Sequence, residues 1–167
     1  DDPAKGFIRG RDFIHPKLGF RFRAPPGFRL FNSARAVTAL GQNGARILFD
    51  SAERRDDEPM LYYLTLRWAD FLQDTEAINV NGMQAATGHS LSDTEQGTMD
   101  VRLLAIAFDV RTICRFIFLA PVDDARDLSV DFRRTTYSFR RLQRGEAASV
   151  LPRRIKIIKA GPGDSLR

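Results

Sequence analysis

The sequence predicts an α+β domain, an antiparallel β-sheet flanked by helices. Three observations carry this. Short apolar runs of period two, cut by Gly- and Pro-containing turns, fill most of the 167 residues. Asn81-Gly82 stands between two such runs, the strongest short-range hairpin signal in the chain. Asp123–Leu142 reads as one amphipathic helix, with Leu128, Phe132, Thr135, Phe139 and Leu142 on a single stripe. Strands, a helix, further strands and a closing helix give one antiparallel sheet with helices laid on it.

In chain order, residues 1–14 read as a linker, 15–143 as the domain and 144–167 as a basic C-terminal extension. Gly19–Ala24 alternates Phe20, Phe22 and Ala24 against Arg21 and Arg23, the pattern of a half-buried strand. Pro25-Pro26-Gly27 then enforces a turn. Phe28–Phe31, Ala36–Leu40 and Arg46–Phe49 read as strands, with a hairpin turn at Gly41–Gly44. The charged stretch 51–59 ends in a Pro suited to a helix start, with Asp57 or Glu58 near the cap. A helix is expected from Leu61 to Phe71, although Tyr62, Leu64, Leu66 and Trp68 also alternate as in a strand.

Glu76–Val80 and Met83–Ser90 flank the Asn-Gly turn, and the polar Ser92–Thr98 reads as a connection. Met99–Phe108 and Arg111–Ala120 follow as long strands joined at Asp109-Val110. In the second, Cys114, Phe116, Phe118 and Ala120 share one face and Ile113, Ile117 and Leu119 the other. A strand apolar on both faces belongs in the middle of a sheet covered on both sides. The expected core is Phe20, Phe22, Phe49, Ala105, Phe116, Phe118, Phe132 and Phe139. Acids Asp123, Asp124 and Asp127 open the closing helix and Arg140 and Arg141 end it, in the sense of the helix dipole. Gln143–Val150 reads as a polar linker and Arg154–Ile158 as a lone terminal strand.

Composition limits the chemistry. With 43% hydrophobic and 28% charged residues the chain is neither disordered nor collagen-like. No apolar run approaches the roughly 18 to 20 residues that span a bilayer. Cys114 is the single cysteine and cannot form an internal disulfide; it reads as a small buried hydrophobe. The two histidines, His15 and His89, stand 74 residues apart, without the close spacing of zinc ligands. His15 precedes Pro16, which forces it extended, and reads as structural; His89 reads as a strand-end surface residue. No catalytic, cofactor-binding or metal-ligating residue is therefore expected in this chain.

The basic charge is uneven. Residues 133–167 hold ten of the 26 Lys and Arg against two acids, a net +8, while residues 1–132 carry a net −3. Such a tail suits an anionic surface or nucleic acid. However, the RRIKIIK of Arg153–Lys159 interleaves aliphatic residues, where nucleic-acid platforms expose aromatics, and no nucleic-acid partner is expected.

The "GF-x-F-x-x-P-x-GF" pattern of Gly19–Phe28, the "GARILFD" of Gly44–Asp50 and the "SF" of Ser138-Phe139 resemble the PsbP-like domain pattern, a PsbP-like sandwich. Gly6–Leu30 resembles the segment that follows the catalytic domain in bacterial periplasmic zinc metalloproteases of the Ste/HtpX/BepA type. Ile78–Thr87 (INVNGMQAAT), Tyr137–Leu142 (YSFRRL) and Pro152–Leu166 (PRRIKIIKAGPGDSL) are similar to later blocks of that family, in the same order. The resemblance implies a zinc peptidase as parent, with H-E-x-x-H on a helix outside this chain, and an exported, periplasmic location. For this piece, which opens on Asp1-Asp2-Pro3, it implies a non-catalytic C-terminal accessory domain that positions substrate or a partner. Its expected partners are its own upstream peptidase domain and protein or peptide substrates, with zinc confined to the catalytic domain. Alternatives are a stand-alone ligand-binding module of the same fold, or an anionic-surface binder acting through the Arg-rich end.

Overall fold

Thirteen Phe residues spaced along alternating strands call for layers that can bury rings from two sides at once. The computed structural model describes residues 5–151. In chain order they form β1 (Phe7–Arg9), β2 (Asp12–His15), β3 (Phe20–Arg23), β4 (Arg29–Asn32), β5 (Val37–Leu40) and β6 (Arg46–Glu53). A short helix, α1 (Met60–Tyr62), runs on into a π-helical segment, Tyr63–Trp68. There follow β7 (Gln73–Val80), β8 (Met83–Thr94), β9 (Gly97–Ala107), β10 (Thr112–Pro121), α2 (Val122–Ser138), β11 (Arg140–Arg141) and α3 (Glu146–Val150). The strands make two sheets in which every paired neighbour is antiparallel. One has the order β1-β2-β3-β11, the other β4-β5-β6-β10-β9-β8-β7.

The small sheet and α2 cover one face of the large sheet, and the Met60–Trp68 segment covers the other. β10 lies in the middle, as its two apolar faces require. Cys114, Phe116, Phe118 and Ala120 join Phe13, Phe20 and Phe22 of the small sheet and Phe132 and Phe139 in the main core. Phe49 is the hub, with ring centroids 4.8 Å from both Phe22 and Phe116 at tilted angles. On the opposite face Ile113 packs with Met60, Leu64, Leu103 and Ala105. All eight expected core residues are buried, but Ala105 serves this second face and not the Phe-rich one.

The structure corrects several expectations. Residues 7–14, expected as linker, supply β1 and most of β2, and Phe13 and Ile14 are buried. Strands of three and four residues earn their place through pairing with β3 and through burial, not through a visible period. Residues 146–150, expected as a polar linker and extension, form α3, whose Val150 packs on Phe7 and Ile14. The Arg9 guanidinium donates to the Val150 carbonyl at 2.7 Å. Arg154–Ile158 lies outside the described residues.

Ser92–Thr98 is not a loose connection: β8 and β9 run on through it and turn at Glu95-Gln96. The first helix ends at Trp68, short of Phe71, and Glu58 does not cap it; Pro59 stands at its N-cap. Glu58 instead holds the Arg67 guanidinium through both carboxylate oxygens and accepts the Arg55 amide. α2 stops at Ser138 because Phe139 turns extended (φ −67°, ψ 123°) to bury its ring completely. Arg140 and Arg141 thus lie in β11, outside the helix.

The Asn81-Gly82 turn forms as expected, with φ of 51° and 91°. The Asn81 amide also donates to the carbonyls of Tyr137 (2.9 Å) and Phe139 (2.7 Å), satisfying acceptors at the end of α2. At the edge of the large sheet β7 slips register between Gln73 and Glu76. Phe71 (φ 59°) and Asp74 (φ 51°) are left-handed there.

Candidate functional site

A cleft of about 130 Å³ opens where the β2–β3 hairpin, the β4–β5 turn and the end of β6 meet. Its floor is apolar: Phe13, Phe20, Phe49 and Cys114, each buried in the main core. Its rim is polar and cationic, with Lys5, His15, Asn32, Arg35 and Ser51.

Local hydrogen bonds build that rim. Ser33 closes the β4–β5 turn: its amide and its hydroxyl both donate to the Ala36 carbonyl (3.0 and 2.8 Å). The turn thus holds Arg35 out in solvent at the mouth. Asn32 donates its side-chain amide to the Gly6 carbonyl at 3.3 Å, tying the turn to the start of the small sheet and leaving its own oxygen as an acceptor. The Leu18 amide donates to His15 Nδ1 at 3.1 Å, and the His15 ring lies 5.3 Å from Phe20.

Burial, with Lys17 adding to it, pushes the His15 pKa below its ordinary value, so the ring is neutral at pH 7. The Leu18 amide at Nδ1 favours the tautomer with its proton on Nε2, which makes no side-chain hydrogen bond among the described residues. Lys5 and Arg35 make no ion pair among those residues either. Asp50, the one acid among the described residues that line the cleft, is held by Arg115 at 2.8 and 2.6 Å. Arg115 is fixed in turn by the Tyr63 hydroxyl (3.0 Å) and the face of Trp68 (4.7 Å). Among the described residues the mouth of the cleft is net positive.

Folding thus brings His15 and Cys114 to one cleft, which their separation in sequence did not suggest. They do not form a nucleophile–base pair. No hydrogen bond joins them, and burial pushes the Cys114 thiol far above its ordinary pKa, so it stays protonated. His89 lies elsewhere, within β8 and not at a strand end, with Nε2 2.7 Å from Asp74 at the β7 bulge; its Nδ1 is buried without a partner among the described residues. Among those residues no three His, Cys, Asp or Glu converge as a metal site would require. No helix among them is long and apolar enough to cross a membrane.

Part of the C-terminal basic cluster is committed to structure. Arg140 holds Glu146 through two contacts of 2.9 Å, and Arg141 lies 4.4 Å from the Phe108 ring centroid. Asp123 and Asp124 occupy the first turn of α2 as helix-start charge.

No protein-family model matches the chain, and no curated protein matches it. Solved structures do. CyanoP, the cyanobacterial PsbP of Synechocystis sp. PCC 6803, superposes with a TM-score of 0.60 over 81% of this chain and 98% of its own, at 13% identity. The fold is PsbP-like. A structure from Bacteroides thetaiotaomicron shares it with a TM-score of 0.61 and 11% identity, covering 83% of this chain; this chain spans about half (51%) of that one. LpqN of Mycobacterium tuberculosis, a protein involved in cell envelope biogenesis, matches over 74% of this chain and 83% of its own, with a TM-score of 0.54 and 12% identity. At these identities the likeness is one of PsbP-like architecture alone, two sheets with few helices.

Proposed function

We propose that this chain is a non-catalytic accessory domain of a zinc-dependent metalloprotease, in which the PsbP-like fold holds substrate or a partner beside a peptidase domain on the same polypeptide. The observation that carries it is the cleft: an aromatic floor under a donor-rich, cationic rim with no activated nucleophile, the make-up of a recognition site. The four ordered sequence blocks that resemble the protease family support the parent and its exported location. Zinc belongs to that parent. The described residues of this chain do not fit it, since His15 and His89 share no cleft and the Cys114 thiol stays protonated.

A second reading, a stand-alone ligand-binding module, draws on the match to CyanoP, whose structure this fold covers almost entirely (98%). The polypeptide encoded ahead of Asp1 separates the two. An H-E-x-x-H helix there, with stoichiometric zinc and peptidase activity in the full-length protein, supports the accessory domain. A full-length protein with neither leaves the stand-alone module.

A further inference from the structure

We infer that the cleft receives the C-terminal residue of a peptide, its apolar side chain on the Phe13–Phe20–Phe49 floor and its α-carboxylate between Arg35 and Lys5. This rests on the reading of the domain as a substrate-holding module and names what it holds. Size comes first. A cavity of about 150 Å³ accommodates a benzene ring, so a cleft of about 130 Å³ holds no more than the ring or branched end of one Phe or Leu side chain, and not an extended chain. Charge comes second. Lys5 and Arg35 are exposed and without ion-pair partners among the described residues, while Arg115 already neutralises Asp50. A carboxylate is therefore attracted to the mouth, and a guanidinium grips it in two-point fashion. Polarity comes third. His15 presents Nε2, and Asn32 an oxygen that accepts no hydrogen bond among the described residues, a pair suited to the C=O and N–H of one peptide group.

A titration of the folded domain followed by amide NMR tests this, with N-acetyl-Gly-Phe, its C-terminal amide and 3-phenylpropionate as probes. The acid is expected to bind at least tenfold tighter than the amide, to shift amides at His15, Arg35 and Ser51, and to weaken as salt is raised. Arg35→Glu and Lys5→Glu, both at exposed positions, are expected to erase the preference for the acid while leaving the melting temperature within a degree or two.

Equal binding of acid and amide overturns the carboxylate assignment and leaves the cleft as a recognition site. Phenylpropionate binding as tightly as the dipeptide overturns the peptide source in favour of a free acid. Shifts confined to another surface, or no binding at millimolar concentration by a folded domain, overturn the inference outright. The peptidase parent is decided apart from all of these, by the sequence ahead of Asp1.

Discussion

Asn81 and Phe139, 58 residues apart, are joined by a 2.7 Å hydrogen bond from the Asn81 side-chain amide to the Phe139 carbonyl. The same amide nitrogen donates to Tyr137, so the turn residue that starts β8 also closes α2. No basic side chain occupies the last turn of that helix, and this amide answers its carbonyls instead.

Asn81→Asp is expected to destabilise more than Asn81→Gly. Either residue tolerates the left-handed turn, but the carboxylate brings acceptors against two carbonyls. A gap of about 1–3 kcal/mol in chemical unfolding is expected, the cost of unsatisfied polar groups. Equal losses would show that the amide bridge adds no stability. Gly82→Val isolates the backbone contribution: a Cβ there meets nothing within 4 Å, so its loss, about 1–3 kcal/mol, is conformational strain at φ 91°.

Phe116 is fully buried at the middle of β10, and Phe132 meets Phe118 at a centroid distance of 5.0 Å. Replacing either with Ala is expected to cost about 3–5 kcal/mol, because packed aromatic neighbours cannot collapse into the space. Losses under about 1 kcal/mol at both sites would contradict the shared core.

Hydrogen bonding from Arg140, with help from the Gln143 amide and Arg21, pulls the Glu146 carboxyl down from 4.5 to about 2. A depressed carboxylate stabilises the fold above its unfolded pKa, and that contribution is lost as pH falls from about 4.5 toward 2. The urea midpoint of the wild type is therefore expected to exceed that of Glu146→Gln at pH 6, and the gap is expected to shrink steadily as pH falls from about 4.5 to 2.5. A constant gap across that range would remove Glu146 from the acid response.

Truncation after Leu142 deletes α3 and with it Val150, which seals the outer face of the small sheet over Phe7 and Ile14. Its melting temperature is expected to fall well below that of a chain cut after Leu151. Burial of the Val side chain alone is worth about 1.5–3 kcal/mol. Identical melting of the two truncations would return residues 143–151 to the status of an appendage.

Turn chemistry and the two-faced β10 were legible because each depends on neighbours in sequence: Asn81-Gly82 fixes its own dihedrals, and alternate apolar residues report both layers at once. β1 and β2 were not legible. Three or four residues hold too short a period, and the polar Asp12 and Arg9 around Phe13 look like linker until pairing with β3 is known. Ser92–Thr98 misled for the opposite reason. There β8 and β9 extend beyond the covering layers, so nothing requires apolar side chains. Phe139 fits the helical stripe by spacing, yet its burial is achieved by leaving the helix. The cleft was invisible because His15, Arg35 and Ser51 come from three separate segments, and each is an ordinary polar residue until the sheets meet.

The register slip in β7 has a bearing on behaviour at high concentration. A large antiparallel sheet ending in a straight strand would offer its unpaired amides and carbonyls as a template for a second molecule. Here the terminal strand is broken between Gln73 and Glu76 by a left-handed Asp74 that is 82% exposed and charged. An incoming strand in regular register loses its ladder at that point. The irregularity thereby shortens the regular edge that β7 offers an incoming strand to Glu76–Val80, independently of anything the cleft binds.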